Sequence, residues 1–242
     1  MNNPRFKLKK YGTNYGSFWL PENLTEYLSS DSIIYLFGAG EDISFDCILS
    51  GILDCKLHIY DPTPRAIAHV NKVKEVLDSK IEPEFDKKIG GGDPNYWKLI
   101  LKSECKSNNI LFSDIGIHVN NGLVKFYQPN NPDYVSCSVS SLNRSNNYFE
   151  VEVKNLKTIM NKNNHSKIDL LKLDIENTEC DVIDQILNDN IFPKFICVDL
   201  DYARGGGQAG KNRTNDLVKR LGDFGYQLIA NDNLDVTFMK VQ

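Results

Sequence analysis

Two glycines and a following acidic residue carry the first chemical signal in the chain. Gly38 and Gly40 come directly after the apolar run 33–37, which is too short for a helix and typical of a strand buried on both faces. Asp42 and Ser44 are suited to cap a helix that begins just after them. Because a strand, a tight glycine turn and a helix N-terminus bring backbone N–H groups close to a ligand, this stretch predicts a ligand-binding turn.

A second short strand, 57–60, ends in Asp61, whose carboxylate is placed to accept the hydroxyls of a ribose. The third glycine of the G-x-G-x-x-G dinucleotide motif is replaced by Ile43, which disfavours NAD or FAD without excluding them. A cofactor without phosphate needs fewer N–H donors. The pattern therefore favours S-adenosylmethionine, with its ribose at Asp61 and its amino-acid part over the glycine turn.

Further carboxylates are expected at the same edge of the sheet, because ligands bind beyond the carboxyl ends of parallel strands. Asp174 ends the buried strand 168–173, and we expect it nearest the reacting group, as a general base or a metal ligand. Asp199 and Asp201 stand at the end of the next predicted strand, 195–200, and project the same way, so they are also candidates for catalysis. With Asp174 they could complete an oxygen-rich Mg²⁺ or Mn²⁺ site, which would acidify a hydroxyl. The alternative is that all three are strand-end caps.

Lys172 interrupts the apolar strand 168–173 on the same face as Asp174. An unpaired buried lysine would cost several kcal/mol, so we expect a carboxylate partner, either Glu176 or Asp199. A structural ion pair is the favoured interpretation. The alternative is a catalytic lysine whose pKa burial has lowered.

The residues predicted to bind the cofactor lie in the glycine turn, after the second strand and at the end of a third predicted strand, 110–113. There Asp114 and Ile115 would flank the adenine. The full set is Gly38, Ala39, Gly40, Asp42, Asp61, Pro62, Thr63, Asp114 and Ile115.

Strands alternate with helices along the chain, which predicts an α/β fold with a mostly parallel sheet and helices on both faces. Residues 226–230 and 236–241 are predicted to form a closing antiparallel hairpin. Residues 1–30 are too aromatic for a disordered tail and are expected to pack over a single domain, 31–242. A loop and hairpin insertion is expected around 115–150, with a short hairpin at 119–127 that turns at its Asn-Asn-Gly sequence.

Composition limits the function classes. The chain has 242 residues, 41% hydrophobic and 25% charged, with a net charge of −4. This suits one α/β domain, and without a concentrated basic tract a nucleic-acid partner is disfavoured. Six scattered cysteines, no signal peptide and no membrane-spanning apolar run predict a cytoplasmic protein with reduced thiols. The sequence gives no signal for the oligomeric state.

Three strings, Tyr35–Asp46, Tyr60–Pro64 and Leu170–Glu176, closely resemble those of the FkbM-type methyltransferases. The resemblance implies a Rossmann-like class I methyltransferase with a seven-stranded sheet, acting on oxygen and often on sugar hydroxyls of glycans or natural products. The family usually has Gly where this chain has Asn177, and Asn tolerates the left-handed conformation better than most residues. A non-sugar small-molecule acceptor and a catalytically inactive binding module are the alternatives.

Residues 205–211 match G-x-x-x-x-G-K, the phosphate-binding loop of nucleotide hydrolases. The next residue is Asn212 instead of the Ser or Thr that binds Mg²⁺, and too few residues follow for the rest of such a domain. We interpret the stretch as a loop over the acceptor site.

Overall fold

The structure is a computed structural model that describes residues 6–131, 137–139, 144–200 and 207–241. Its strands are β1 (Leu8–Tyr11), β2 (Phe18–Pro21), β3 (Ile34–Phe37), β4 (Leu57–Tyr60), β5 (Ile110–Ser113), β6 (Gly116–Ile117), β7 (Gly122–Pro129), β8 (Arg144–Lys154), β9 (Leu170–Leu173), β10 (Phe195–Asp199), β11 (Tyr226–Asp232) and β12 (Asp235–Lys240). Its helices are α1 (Ser44–Leu53), α2 (Pro64–Ser79), α3 (Tyr96–Lys102), α4 (Leu156–Lys162), α5 (Glu179–Asn188) and α6 (Gly207–Asp223). Short 3₁₀ helices lie at Leu24–Glu26, Ile89–Gly92 and Ser107–Asn109.

A sheet of seven described strands, in the order β11-β12-β10-β9-β3-β4-β5, forms the centre of the fold. The pairs from β10 through β9, β3 and β4 to β5 are parallel, whereas β12 runs antiparallel to both β10 and β11. The prediction of an α/β fold with a mostly parallel sheet is therefore confirmed. The strand order places the carboxyl ends of β3, β4 and β9 side by side.

Strand β3 is buried on both faces, as its uninterrupted apolar sequence predicts. Ile34 and Leu36 belong to a core cluster shared with α1, α2 and α3. Tyr35 and Phe37 belong to a second cluster shared with α4, α5 and α6. Because successive side chains of a strand point to opposite faces, the sheet carries helices on both sides. None of the helices in the described part of the chain is both long and apolar enough to cross a bilayer.

The N-terminal strands β1 and β2 pair with each other and lie beside the C-terminal hairpin. Lys10 Nζ and Trp19 Nε1 each donate to the same Asp232 oxygen at 3.0 Å. Between the two strands runs a segment that we call the strap, residues 12–17. Tyr11 and Phe18 at its two ends are buried in the main core, so the strap is anchored on both sides.

The insertion differs from its prediction in one respect. Residues 122–129 form one continuous strand, β7, which pairs antiparallel with β8, and β6 pairs parallel with the other side of β8. The short hairpin expected at 119–127 is therefore wrong. The Asn-Gly turn signal at Asn121 and Gly122 instead marks the start of β7, because long-range pairing with β8 overrides the local preference.

The stretch that matches a phosphate-binding loop also differs from its prediction. Residues 207–211 belong to the first turns of α6 instead of a loop, and 205–206 lie outside the described residues.

Candidate active site

An open cleft lies beyond the carboxyl ends of β3, β4 and β9, where ligands of parallel sheets usually bind. Its volume, with the open mouth and the solvent in it included, is about 830 Å³. Five parts of the chain contribute to its wall: the strap, the glycine turn, the segment after β4, the β6–β8 insertion and the loop after β9. Their lining residues are Tyr15, Gly16, Phe37, Gly38, Ala39, Gly40, Glu41, Asp42, Tyr60, Asp61, Pro62, Thr63, Gly116, Ile117, Phe126, Cys137, Val139, Asp174, Ile175, Glu176 and Thr178.

The glycine turn, Gly38–Gly40, needs glycine for both conformation and space. Gly38 has φ of +85° and Gly40 has φ of +49°. A β-carbon on Gly38 would lie 1.8 Å from the backbone oxygen of Asp174. The turn therefore packs directly against the start of the loop after β9.

Asp61 lines the cleft and ties the glycine turn to the end of β4. One carboxylate oxygen accepts the N–H groups of Ala39 and Gly40 at 2.9 and 3.0 Å. The other accepts from the backbone N–H and the hydroxyl of Thr63 at 2.8 and 2.6 Å. The predicted ribose contact stays a prediction, and the structure adds a second role, because these bonds set the shape of the turn.

Asp42 joins the strap to the start of α1. Its carboxylate accepts from the Thr13 hydroxyl at 2.5 Å and from the backbone N–H of Ser44 at 2.8 Å. The Thr13 hydroxyl in turn accepts the N–H groups of Tyr15 and Gly16 at 3.1 and 3.0 Å. Burial raises the pKa of Asp42, although the hydrogen bonds from Ser44 and Thr13 oppose that shift. The strap is thus fixed to the start of α1, just after the glycine turn, through a buried carboxylate.

Lys172 has a different partner from the two that were predicted. Its ammonium lies 3.8 Å from the carboxylate of Asp46 in α1 and donates to the backbone oxygen of Gly38 at 2.8 Å. Burial lowers the pKa of Lys172, but the carboxylates around it, Asp46 foremost, outweigh burial and raise it. Lys172 is absent from the described cleft lining and supports the glycine turn from beneath, so the prediction of Glu176 or Asp199 as its partner is wrong.

The loop after β9, which we call the acidic loop (residues 174–178), brings Asp174 and Glu176 into the cleft wall. Glu176 and Asn177 have φ of +60° and +87°. Asn177 therefore adopts the left-handed conformation that glycine usually supplies. The backbone oxygen of Glu176 accepts from the Ser138 hydroxyl at 2.7 Å.

Two predicted cofactor contacts do not reach the cleft. Asp114 is exposed and Ile115 is buried in the second core cluster. The chain turns after Ser113, whose backbone oxygen accepts from the Asp61 N–H at 3.2 Å, and then enters β6. As a result Gly116 and Ile117 line the cleft in place of the two predicted residues.

The predicted metal ligands do not form a site in the described residues. Asp199 is half-buried at the end of β10 and is not among the residues that line the cleft with Asp174. Asp201 lies outside the described residues. Across the ranges that the structure describes, no group of three His, Cys, Asp or Glu side chains could hold a metal ion. The Mg²⁺ or Mn²⁺ hypothesis therefore has no structural support.

Negative charge dominates the described cleft lining. One of its carboxylates, Glu41, is paired with Arg65, whose Nε lies 2.9 Å from Glu41 Oε1. Such a wall favours a ligand that carries positive charge. The lining carboxylates are Glu41, Asp42, Asp61, Asp174 and Glu176.

Several lining residues had no specific signal in the sequence. Phe126, Cys137 and Val139 come from the insertion, and only the fold brings them to the carboxyl ends of the strands. Tyr15 and Gly16 come from the strap, whose aromatic composition indicated packing but no position. Tyr15 is 62% exposed and stands at the mouth of the cleft.

The chain matches the family model described as Methyltransferase FkbM domain over residues 54–228. Comparison with curated proteins found no match, and comparison with solved structures found none either. The matched range covers more than half of the 242 residues and includes Asp61, β9 and the acidic loop. The chain therefore belongs to the FkbM methyltransferase family.

Proposed function

We propose that the protein is an S-adenosylmethionine-dependent O-methyltransferase that methylates a sugar hydroxyl. One observation carries this proposal: the glycine turn, Asp61 and the carboxylates of the acidic loop meet in a single cleft. Family membership supports methyl transfer. That the methylated atom is an oxygen, and that the acceptor is a sugar, goes beyond family membership and is our proposal.

The residues of the cleft fit the cofactor. Gly38, Ala39 and Gly40 line the cleft, so the amino-acid part can lie over the turn. Asp61 faces the cleft beside the turn and would hold the ribose, while Ile117 would contact the adenine. The net negative wall suits a cationic sulfonium. When bound, S-adenosylmethionine supplies an electrophilic methyl group.

Asp174 is the proposed general base. It lines the cleft next to the glycine turn, where it could accept the proton of an acceptor hydroxyl. A positioned base contributes about 10²- to 10⁴-fold to a rate, and alignment of the reacting groups contributes as much or more. Lys172, 2.8 Å from the Gly38 backbone oxygen, would keep the turn in place instead of moving a proton.

The rest of the wall supports a sugar acceptor. The rings of Tyr15 and Phe126 line the same cleft as the carboxylate of Glu176. Aromatic rings pack against the apolar C–H faces of a sugar, and carboxylates accept hydrogen bonds from its hydroxyls. A cleft with both groups is suited to a neutral polyhydroxy ligand.

Two measurements test the proposal. Titration calorimetry with S-adenosylhomocysteine should show saturable binding, which Asp61→Ala should weaken strongly. In a transfer assay with methyl-labelled S-adenosylmethionine, the label should appear on at least one member of a panel of sugars and glycosides. Asp174→Asn should still bind S-adenosylhomocysteine but lose at least about 100-fold in turnover. An absence of binding heat would overturn cofactor use. Transfer only to non-sugar hydroxyls in a parallel panel would overturn the sugar assignment alone.

A further inference from the structure

Glu179 is a buried carboxyl group that the proposed chemistry leaves unused. It is the first residue of α5, and only 1% of its surface is exposed. It is absent from the described lining of the cleft, so it is not placed to touch a ligand. A carboxyl group in such a position needs a structural or functional reason, because burial without hydrogen bonds is unfavourable.

The contacts of Glu179 lead back to the acidic loop. One oxygen, Oε1, accepts the backbone N–H of Ile175 at 3.0 Å and that of Asn177 at 3.2 Å. These two N–H groups flank Glu176 in the sequence. A single carboxyl oxygen thus holds the backbone on both sides of a residue that lines the cleft.

The backbone held in this way adopts an unusual conformation. Glu176 and Asn177 both have positive φ, although left-handed residues other than glycine normally occur singly. Such a pair persists only where surrounding contacts determine it. The Ser138 hydroxyl, which donates to the Glu176 backbone oxygen at 2.7 Å, restrains the same peptide from the other side.

We infer that Glu179 is a positioning residue that holds the acidic loop in its left-handed turn and so directs Asp174 and Glu176 into the cleft. The inference rests on the proposed function for its catalytic consequence. Glu179 acts through the backbone of the loop and does not itself transfer a proton to or from the acceptor.

The chemistry of the contact specifies which substitution should preserve it. Both N–H groups donate to one oxygen, and a neutral carboxyl group or a carboxamide offers the same acceptor. Burial, with the nearby charge of Asp174, raises the pKa of Glu179 to about 8, so the neutral form is accessible at physiological pH. Glutamine at this position should therefore keep the turn, whereas alanine should release it.

The experiment compares Glu179→Ala, Glu179→Gln and the control Asp181→Ala. Asp181 lies in the same first turn of α5 but is exposed and pairs with Arg213. Amide hydrogen exchange at Ile175 and Asn177 is measured by NMR on the full chain, together with turnover and S-adenosylhomocysteine affinity. We expect Glu179→Ala to speed exchange at both amides at least tenfold and to lower kcat by about 10- to 100-fold. Glu179→Gln and Asp181→Ala should resemble the wild type.

Unchanged exchange in Glu179→Ala would overturn the inference, and so would a Gln variant that is as impaired as the Ala variant. If Glu179→Ala does not fold, Glu179→Asp replaces it, and its shorter side chain should speed exchange at the same two amides. The exchange measurement needs no methyl acceptor. Failure of the proposed function would therefore appear as a wild type without turnover whose amides are still protected by Glu179.

Discussion

The backbone of Gly38 lies against the backbone carbonyl of Asp174, so that a β-carbon on Gly38 would lie 1.8 Å from that oxygen. The backbone N–H of Asp174 donates to the Phe37 oxygen at 3.1 Å, which holds the two segments at this distance. The turn that would receive a cofactor and the residue proposed as base are therefore packed together directly. The relative position of the glycine turn and Asp174 therefore requires a residue without a β-carbon at position 38.

Gly38→Ala tests this packing. The new methyl group would collide with the Asp174 carbonyl, and φ of +85° adds strain for any other residue. We expect loss of S-adenosylhomocysteine binding and a lower midpoint of thermal unfolding. The control is Gly222→Ala in α6, where a β-carbon meets nothing within 4 Å and should stabilise the helix by about 0.5–1 kcal/mol. Wild-type affinity in Gly38→Ala would contradict the close approach.

Thr13→Val tests the link between the strap and Asp42, just before α1. The change removes the hydroxyl that donates to Asp42 and accepts from the Tyr15 and Gly16 amides. We expect the free energy of unfolding to fall by about 1–3 kcal/mol. The affinity for S-adenosylhomocysteine should also fall, because the strap that forms one wall of the cleft is held less firmly. Thr13→Ser keeps the hydroxyl and should match the wild type in both measurements. Equal affinities in all three proteins would show that the strap does not contribute to binding.

Lys172→Met tests the buried ion pair. Without the ammonium, Asp46 remains as an uncompensated buried carboxylate, and we expect chemical denaturation to show a loss of about 3–5 kcal/mol. The double variant Lys172→Met with Asp46→Leu removes both charges and should recover most of that stability. A double variant no more stable than Lys172→Met would point to the hydrogen bond from Lys172 to Gly38 as the dominant contribution.

The raised pKa of Glu179 predicts a specific dependence of stability on pH. Burial raises this pKa from 4.5 to about 8, so between these values the folded state binds one proton more than the unfolded state. The contribution of Glu179 to the free energy of unfolding is therefore greatest below pH 4.5. It declines as pH rises through about 8, by up to about 1.4 kcal/mol per pH unit. Urea unfolding across this window should give a flatter profile for Glu179→Gln. Parallel profiles would contradict the raised pKa.

Carboxylates in the cleft wall predict different salt effects on two related ligands. S-adenosylmethionine carries a sulfonium charge that S-adenosylhomocysteine lacks, so attraction to the wall adds to its binding alone. Raising the salt concentration from about 0.05 M to about 0.5 M should weaken the binding of S-adenosylmethionine more than that of S-adenosylhomocysteine, whose net charge is lower by one. Titration calorimetry at both concentrations measures the difference. The lining carboxylates that account for this attraction are Asp61, Asp174 and Glu176, because Glu41 is paired with Arg65 and burial raises the pKa of Asp42.

The fold was predictable because its signals are local or periodic. The apolar run at 33–37 is a strand buried on both faces, and the stretch that ends at Asp61 is the adjacent strand β4. The alternation of strands and helices along the sequence predicts the parallel centre of the sheet. The last two predicted strands, with a short turn between them, predict its antiparallel edge. The continuous strand β7 was missed because pairing with a distant strand decided it.

The candidate site was predictable only where residues stand at strand ends. Gly38, Asp61 and Asp174 lie together as their positions after β3, β4 and β9 require. For Lys172 the sequence predicts Glu176 or Asp199 as the partner. The observed partner is Asp46 in α1, and its position depends on how that helix packs on the sheet. Glu179 carried no signal, since its role depends on two backbone N–H groups of a loop whose conformation the sequence does not reveal.

The strap has a practical consequence for how the protein can be shortened. It contributes Tyr15 and Gly16 to the cleft, yet it precedes the family match, which begins at residue 54. A fragment trimmed to that match would also lose β3, the central strand of the sheet, together with the glycine turn. Truncation at the family boundary should therefore give an insoluble product. Deletion of residues 1–17 should also destabilise the fold, because it removes β1 and the buried Tyr11 together with one side of the cleft.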